Sequence, residues 1–245
     1  MAIAVAPSTP IPIGRSQMAT RDLPDLYFVN VTGPLIIIQA RMASTRLPNK
    51  VMADICGKPM LEHVLMRCLI TGYKVVLATT DKLEDQRLAN FAKRHGIGAY
   101  QGSELDVLDR YYRTVNEFGA STIVRITGDC PLIDPKLIQA AVQYFFIGDF
   151  DYVTTRPGYP DGMDAEVFSF GALERAWREA MHPEERAHVT AYFTDDRFKV
   201  GRMRPDAATA VKLSVDTQED LERIRRIVGE LGENCSLEDV TTPQP

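Results

Sequence analysis

The strongest constraint on the fold is a repeated alternation of short apolar segments with amphipathic segments of helical period. LIIIQ from Leu35 and KVVLA from Lys74 are continuous apolar runs of the kind that form buried parallel strands. Between them, apolar residues recur at helical spacing from Leu61 to Leu69, and Gly72 marks the end of that helix. A strand, a helix and a second strand predict a right-handed crossover between parallel neighbours.

The alternation continues through most of the chain, which favours a mostly parallel sheet covered by helices. Asp134 and Pro135 are a capping residue and a first-turn proline that mark the start of another helix. A stretch rich in Pro, Gly and Asp, residues 156–162, interrupts the pattern, and FKVGRMR and AVKLSV later predict two strands. The other predicted strands cover residues 97–100, 121–127, 151–155 and 166–170, and the other predicted helices cover residues 84–95, 106–118 and 217–231.

The predicted fold is therefore α/β, with a Rossmann-like, mostly parallel sheet, helices on both of its faces and a small insertion. At 245 residues and 45% hydrophobic composition, the chain suits one large domain. Residues 1–33 hold scattered Pro, Ser, Thr and Gly without a sustained period, so we expect an N-terminal extension there, at least partly disordered. The domain is expected at residues 34–245, with the insertion near residues 156–205.

Charge and cysteine content exclude several classes of function. The chain has 28 Lys and Arg residues against 33 Asp and Glu residues, a formal net charge of -5, so we expect neither a nucleic acid partner nor an anionic membrane surface. Its apolar runs are far shorter than the roughly 20 residues that a membrane-spanning helix needs. The four cysteines form no CxxC pair and no zinc-ligand spacing, which predicts reduced thiols in a cytoplasmic protein.

A loop rich in positive charge follows the first strand. QARMASTRLPNK contains Arg41, Arg46 and Lys50 together with Ser44 and Thr45. Backbone N–H groups, hydroxyls and three cations in one short loop can surround a triphosphate. The loop has neither the Gly-Lys-Ser/Thr ending of a Walker A motif nor a GxGxxG turn. A solvated basic loop is the alternative, but the position at the carboxyl end of a strand favours phosphate binding.

Two acidic segments follow other predicted strands and therefore belong at the same edge of the sheet. In TGDCPLIDP, Asp129 is a candidate ligand for Mg2+, which takes one or two carboxylates with phosphate oxygens and water, whereas Asp134 suits a helix cap. In LSVDTQEDL, Asp216 could share that metal with Asp129 or could simply cap the next helix, and the residues alone favour neither role.

Four further segments carry polar candidates for ligand contacts. ATTD, residues 78–81, could lie against a base or ribose, or could be a plain loop and cap. GSELDVLDRYY, from Gly102, adds residues to the nucleotide pocket, although Asp106 also suits a helix start. YPDGMDAEVFSF and EERAHVT supply polar groups for a hydroxylated substrate. The candidates in these segments are Thr79, Thr80, Asp81, Ser103, Asp106, Arg110, Tyr159, Asp161, Asp164, Glu166, Arg186 and His188.

Together, IIIQARMASTRLPNKV, TGDCPLIDP, YPDGMDAEVFSF, EERAHVT and LSVDTQEDLE closely resemble the cytidylyltransferase family typified by spore-coat polysaccharide biosynthesis proteins. Relatives in that family activate 3-deoxy-manno-octulosonate and acylneuraminates. The resemblance covers about residues 35–230 in the expected order. It implies a nucleotidyltransferase that moves CMP from CTP to a sugar, such as an acidic keto-sugar for a surface polysaccharide, and releases pyrophosphate.

The resemblance also implies roles for individual residues. Arg41, Lys50 and Asp129 would serve catalysis, and Asp129 and Asp216 would bind Mg2+, which favours metal binding over capping for Asp216. The insertion would bind the sugar and form a homodimer. The nucleotide-binding residues that the resemblance implies are Arg41, Ser44, Arg46, Lys50, Thr79, Thr80 and Asp81, and we expect Ala40, Ser103, Asp106 and Gly128 beside them. The expected sugar-side residues are Arg110, Tyr159, Asp161, Asp164, Glu166, Arg186 and His188.

One position departs from the family pattern, because Asn49 stands where Gly usually separates Pro48 from Lys50. Asn tolerates left-handed backbone better than most residues, so we expect the turn to persist. Two other functions are compatible with the sequence. One is a glycosyltransferase that binds a nucleotide-sugar through a metal on Asp129, and the other is a non-catalytic module that binds sugar nucleotides.

Overall fold

The central strand, β1 at Leu35–Gln39, is buried on both of its faces. Because side chains alternate along a strand, Ile36 and Ile38 belong to one apolar cluster while Leu35 and Ile37 belong to another. A strand in this position needs apolar residues at consecutive sites, which explains the unbroken run in the sequence. The computed structural model describes residues 33–205 and 211–241.

The described residues form a seven-stranded sheet, a short hairpin and helices on both faces of the sheet. The strands are β1 Leu35–Gln39, β2 Asp54–Ile55, β3 Lys58–Pro59, β4 Lys74–Thr80, β5 Gly98–Gly102, β6 Thr122–Thr127, β7 Tyr152–Thr154, β8 Glu166–Ser169 and β9 Val200–Arg202. The α-helices are α1 Met60–Ile70, α2 Gln86–Arg94, α3 Val107–Phe118, α4 Pro135–Ile147, α5 Phe170–Glu179, α6 Pro183–Ala187, α7 Gln218–Leu231 and α8 Leu237–Thr241.

The sheet order is β5-β4-β1-β6-β8-β7-β9, and β8 is the strand that runs against the others. β1 pairs in parallel with β4 and β6, and β4 pairs in parallel with β5. Helices α1, α2, α4 and α7 contribute to the apolar cluster on one face, whereas α3 and α5 contribute to the cluster on the other. The prediction of a mostly parallel α/β sheet with helices on both faces is confirmed.

Several predicted helix boundaries match the structure because their local signals are strong. The Asp134 side chain accepts a hydrogen bond from Lys136 N at the start of α4, with Pro135 in the first turn. Gly72, after α1, has a φ of 76°. Asn49 has a φ of 59°, so it adopts the left-handed conformation that glycine would otherwise supply at this turn.

The region predicted as an insertion contributes to the central sheet itself. β8 pairs with both β6 and β7, and β9 extends the sheet on the far side of β7. Apart from Gly33, the N-terminal extension predicted for residues 1–33 lies outside the described residues. Among the helices that the structure describes, none has the length and apolar content needed to cross a membrane.

The prediction that AVKLSV forms a strand is wrong. Residues 211–215 pair with loops rather than with another strand: Leu213 N and Ser214 N donate to Asp161 O, and Val215 N donates to Asp129 O at 2.9 Å. Three consecutive residues of this segment, 213–215, are buried, so its apolar character reflects burial against loops and not pairing in a sheet. The β2–β3 hairpin and helix α8 were not predicted, because each is too short to show a period.

We expect Gly162→Ala to destabilise the fold by about 2–4 kcal/mol. Gly162 has a φ of 101°, and a Cβ there would lie 2.3 Å from the backbone of Leu213 and Ser214. Gly229→Ala is the control, since Gly229 lies in α7 with no atom within 4 Å of an added Cβ, and alanine should stabilise the helix by about 1 kcal/mol. Urea unfolding of both variants measures the difference, and equal stabilities would contradict this account.

Candidate active site

The carboxyl ends of the parallel strands meet at one edge of the sheet and open into a cavity of about 410 Å³, here called the first cavity. The loop after β1 and the turn after β6 form most of its wall. Ligands of open α/β sheets bind at such edges. The predicted site residues that line the first cavity are Ala40, Arg41, Ser44, Arg46, Lys50, Arg110, Gly128, Asp129, His188 and Asp216.

The Lys50 ammonium lies between two carboxylates at the floor of the first cavity. Lys50 Nζ is 2.9 Å from Asp129 Oδ2 and 3.1 Å from Asp216 Oδ1, and it also donates to Val215 O at 2.7 Å. The Lys50 side chain is only 12% exposed, so water screens these contacts weakly. Three distant segments of the chain therefore converge on one nitrogen atom.

The pKa values of both carboxyls reflect this arrangement. Burial by itself would raise the pKa of Asp129, but the charge and hydrogen bond of Lys50 hold it below its ordinary value. The pKa of Asp216 is also lowered, since hydrogen bonds from Lys50 and Lys212 outweigh the effect of burial. Both groups are therefore charged at neutral pH.

The structure distinguishes the two roles that the sequence left open for Asp216. Thr217, and not Asp216, caps α7, because its side chain accepts a hydrogen bond from Asp220 N. Asp220 in turn accepts bonds from the backbone N–H groups of Asp216 and Thr217 at 3.0 and 3.1 Å. These bonds fix the backbone of Asp216, whose carboxylate contacts Lys50, Arg46 and Lys212.

Two carboxylates that converge on one positive charge also suit a divalent cation. Mg2+ typically takes one or two protein carboxylates, and substrate phosphates and water complete its ligands. Asp129 and Asp216 fit that requirement. Within residues 33–205 and 211–241, no group of three or more His, Cys, Asp or Glu side chains is arranged to hold a metal ion. A metal on these two carboxylates would take its other ligands from substrate phosphates and water.

The remaining basic residues of the first cavity differ in their partners. Arg41 Nη1 is 3.0 Å from Glu104 Oε1, and Arg46 Nη2 is 2.9 Å from Asp216 Oδ1; both side chains are more than half exposed. Arg110 is 1% exposed, and burial lowers the pKa of its guanidinium. Its Nη1 donates to Ser103 O at 2.8 Å, while its Nε has no hydrogen-bond partner within residues 33–205 and 211–241.

Gly128 lets two strand ends come close beneath the first cavity. Gly128 N donates to Gln39 O at 2.8 Å, and a Cβ on Gly128 would lie 2.9 Å from Ala40 Cβ. Any side chain here would push the loop after β1 away from Asp129. His188 also lines the first cavity, with Nε2 3.3 Å from Glu184 Oε2, and its side chain is 67% exposed.

Five residues predicted on the nucleotide side do not line the first cavity: Thr79, Thr80, Asp81, Ser103 and Asp106. Thr79 and Thr80 are buried, and the Thr80 hydroxyl donates to Asp85, whose other carboxylate oxygen accepts from Met42 N at 2.6 Å. Asp85 thereby links the end of β4 to Met42 in the basic loop.

Asp81 is exposed, and its N–H donates to Gly102 O at 3.0 Å. The Ser103 hydroxyl accepts a hydrogen bond from Asp106 N at 2.9 Å. Asp106 caps α3 by accepting from Asp109 N at 2.9 Å, which is the helix-start role that the sequence left open. Ser103 and Asp106 lie in the turn before α3, and the Arg110 side chain reaches back from α3 to the Ser103 carbonyl.

A second cavity of about 220 Å³ shares Thr127, Asp129 and Asp216 with the first. The predicted Asp161, Asp164 and Glu166 line it, as do four residues that sequence reasoning missed: Arg125, Cys130, Arg156 and Ser214. Arg125 had a usable signal, because a charged residue inside an apolar strand is unusual. Arg156 and Ser214 had none, since they reach the cavity only through tertiary packing.

The arginines of the second cavity are already paired with carboxylates. Arg125 forms an ion pair with Glu166, which also accepts hydrogen bonds from Tyr152 and Thr190. Arg156 Nε is 2.7 Å from Asp164 Oδ1, and Arg156 Nη2 is 3.0 Å from Asp161 Oδ1.

Burial would raise the pKa of Glu166, but the Arg125 charge and these hydrogen bonds hold it below its ordinary value. The pKa of Asp164 is raised by burial despite Arg156. The carboxylates that line the second cavity outnumber its two arginines. This excess of hydrogen-bond acceptors suits a ligand with several hydroxyl groups.

Two predicted sugar-side residues lie elsewhere. Tyr159 lines a neighbouring surface cavity together with Arg156, Asp161 and Asp164. Arg186 bonds to Asp106 Oδ2 at 2.6 Å and to the carbonyl groups of Trp177 and Ala180, so it ties the segment after α5 to the start of α3. Neither residue lines the first or the second cavity.

Comparison with known proteins matches the chain to one family. The family model described as cytidylyltransferase matches residues 35–238. The chain is 33% identical over 211 residues to the spore coat polysaccharide biosynthesis protein SpsF of Bacillus subtilis, which covers 81% of this chain and 88% of that protein. It is 38% identical over 111 residues to the 3-deoxy-manno-octulosonate cytidylyltransferase of Aeromonas salmonicida, 43% of either chain.

A solved structure supports the same assignment. The structure of a cytidylyltransferase from Leptospira borgpetersenii superposes with a TM-score of 0.81 at 29% identity, over 86% of this chain and 92% of that one. The similarity therefore extends across the sheet and both cavities rather than over a single motif.

We expect Lys50→Met to destabilise the protein at neutral pH by about 1–3 kcal/mol, because two facing carboxylates lose their shared cation. In the wild type, the lowered pKa values of Asp129 and Asp216 give stability that is present above about pH 4 and is lost as pH falls through those values. In the variant, burial and mutual repulsion raise the pKa of at least one of the two carboxyls. The difference in free energy of unfolding between Lys50→Met and the wild type should therefore shrink between about pH 7 and pH 4.

Urea unfolding at several pH values measures this trend. Lys58→Met is the control, since the Lys58–Glu233 pair is exposed and should contribute little. A deficit for Lys50→Met that stays constant with pH would show that the ammonium does not set the charge state of the two acids.

Proposed function

This chain belongs to the cytidylyltransferase family and is a nucleotidyltransferase, and we propose that it transfers CMP from CTP to a sugar hydroxyl with release of pyrophosphate. The observation that carries the proposal is the convergence of Lys50, Asp129 and Asp216 at the point where the two cavities meet. A phosphate in the first cavity and a sugar in the second would be adjacent only there.

The proposed reaction is an in-line displacement at the α-phosphate of CTP. The sugar oxygen forms a bond to the α-phosphorus, the bond from that phosphorus to the bridging oxygen of the β-phosphate breaks, and pyrophosphate leaves with the bonding electrons. The hydroxyl proton passes to solvent. Catalysis of this kind needs positioning and charge stabilisation rather than a protein nucleophile.

The basic residues would hold the triphosphate. Arg41 and Arg46 are exposed and paired with carboxylates, so they can exchange those partners for phosphate oxygens at little energetic cost. Asp129 and Asp216 would hold Mg2+, which supplies charge neutralisation at the phosphates when bound. Lys50 would then move from the two carboxylates to a phosphate oxygen, where its charge opposes the negative charge that develops on the leaving group.

The sugar would occupy the second cavity. Asp161, Asp164 and Glu166 offer acceptors for sugar hydroxyls next to the acids that face the α-phosphate. The name of the Aeromonas salmonicida relative supports a 3-deoxy-2-keto acid as the first sugar to test. We also propose that the enzyme is a homodimer, as the family resemblance implies, and light scattering in solution tests this.

The first experiment is pyrophosphate release from each of the four nucleoside triphosphates with Mg2+ and a panel of sugars. Release that requires both CTP and one sugar would support the proposal. A glycosyltransferase would instead release a nucleotide from a nucleotide-sugar, without pyrophosphate. If no triphosphate binds and no pyrophosphate forms with any sugar, the proposal fails.

We expect Asp129→Asn and Asp216→Asn each to lower kcat/KM by at least about 100-fold, because each removes one carboxylate from the proposed metal site. Their melting temperatures should stay near that of the wild type. Asp196→Asn, an exposed aspartate outside both cavities, is the control and should keep full activity. Activity retained in either active-site variant would argue against a two-carboxylate metal site.

We expect Asp161→Asn to raise KM for the sugar about tenfold or more while KM for CTP stays unchanged. The substitution keeps the size of the side chain but removes a charged acceptor from the second cavity. Asp195→Asn is the matched control, since Asp195 also pairs with an arginine, Arg202, but lies on the surface. Equal changes in both KM values would mean that Asp161 supports the whole site rather than the sugar.

A further inference from the structure

The basic residues of the first cavity are balanced by acids, with one exception. Lys50 pairs with Asp129, Arg41 with Glu104 and Arg46 with Asp216. Arg110 lines the same cavity, yet no carboxylate of the residues that the structure describes lies within 4.0 Å of its guanidinium. Among the described residues, Arg110 therefore has no ion-pair partner in the absence of a ligand.

The environment of Arg110 makes this arrangement unfavourable for folding alone. Its side chain is 1% exposed, its Nε has no hydrogen-bond partner among the described residues, and its Nη1 donates to the neutral Ser103 carbonyl. A charge removed from water is costly unless it is paired and fully hydrogen-bonded. The nearby Arg41 adds repulsion, while Asp85 and Glu104 attract the guanidinium without forming an ion pair with it.

The Arg110 side chain is nevertheless held in a fixed position. Its Cβ and Cγ pack against Gly102, where an added Cβ would lie 3.3 Å from Arg110 Cγ. The Ser103 carbonyl that accepts from Nη1 belongs to a turn closed by the bond from Asp106 N to Ser103 Oγ. A rigid, desolvated guanidinium is the arrangement expected of a preorganised oxyanion site.

The second cavity offers no alternative cation for an anionic substrate. Both of its arginines, Arg125 and Arg156, are engaged with carboxylates. Among the described residues that line the two cavities, Arg110 is thus the cation without an acidic partner. An anionic group of a reactant would gain most by binding there.

We propose that Arg110 forms a preorganised site for one oxyanion of the reactants, either a phosphate of the nucleotide or the carboxylate of an acidic sugar. This inference rests on the proposed function and assigns a specific electrostatic role to one residue of that site. The bound oxyanion supplies the missing negative charge and accepts from the guanidinium. Arg110 is accordingly a residue that lowers the stability of the free protein and is retained for binding.

The test compares Arg110→Met with the wild type and with Arg113→Met. Methionine keeps a long unbranched side chain in a helix but carries no charge. Arg113 lies one turn along α3, is 55% exposed and lines neither cavity, so it is the matched control. For Arg110→Met we expect the melting temperature of the ligand-free protein to rise by about 2–4 °C, because a buried charge with no ion-pair partner among the described residues is removed.

Binding measurements identify the source of the oxyanion. If the nucleotide supplies it, Arg110→Met should weaken CTP binding at least tenfold in a calorimetric titration without sugar. If the sugar supplies it, CTP affinity should persist while KM for an acidic sugar rises at least tenfold. Arg110→Lys should retain part of the lost affinity in either case, since it keeps a positive charge.

The proposal is overturned if Arg110→Met has a lower melting temperature than the wild type, or if CTP affinity and sugar KM both stay within about threefold of wild type. Failure of the proposed function would look different. Wild-type protein would then neither bind CTP nor release pyrophosphate, while inorganic pyrophosphate would still raise its melting temperature and would lose that effect in Arg110→Met. The two ideas can therefore fail separately.

Discussion

The arrangement of the site depends on one ammonium group between two carboxylates. Lys50 comes from the loop after β1, Asp129 from the turn after β6 and Asp216 from the segment before α7. Two carboxylates that contact the same nitrogen atom are close enough to repel each other, and because both are partly buried, water screens that repulsion only in part. The cation allows both to stay charged, and it thereby joins three segments that are 79 and 166 residues apart along the chain.

Paired charges also explain how such a site can be stable without a ligand and can still bind a highly charged ligand. Arg41, Arg46 and Lys50 each have an acidic partner in the free protein, so none of them stands as an isolated charge. A phosphate chain with a divalent cation can take over both sides of these pairs, so that each basic and acidic side chain keeps a partner of opposite charge. Arg110 differs because no carboxylate of the described residues forms an ion pair with it.

The predictions that the structure confirms rest on local signals, and those that failed depend on long-range packing. Asp134, Pro135 and Gly72 mark helix ends through short-range hydrogen bonding and backbone geometry, so they were readable from the sequence. AVKLSV has the composition of a strand, but its backbone pairs with loops at Asp129 and Asp161, which no local pattern reveals. The roles proposed for individual site residues stay predictions.

By itself, the sequence determined the order of strands and helices, and with it which loops follow the carboxyl ends of parallel strands. It also placed the basic loop and Asp129 at the same edge of the sheet. Only the tertiary structure decided that Thr217 caps α7 while Asp216 faces Lys50, and that Arg110 is buried without an acidic partner in the part of the chain that the structure describes. The reason is that helix caps and the spacing of apolar residues depend on a few neighbouring residues. Charge pairing and burial depend on which distant segments the sheet brings together.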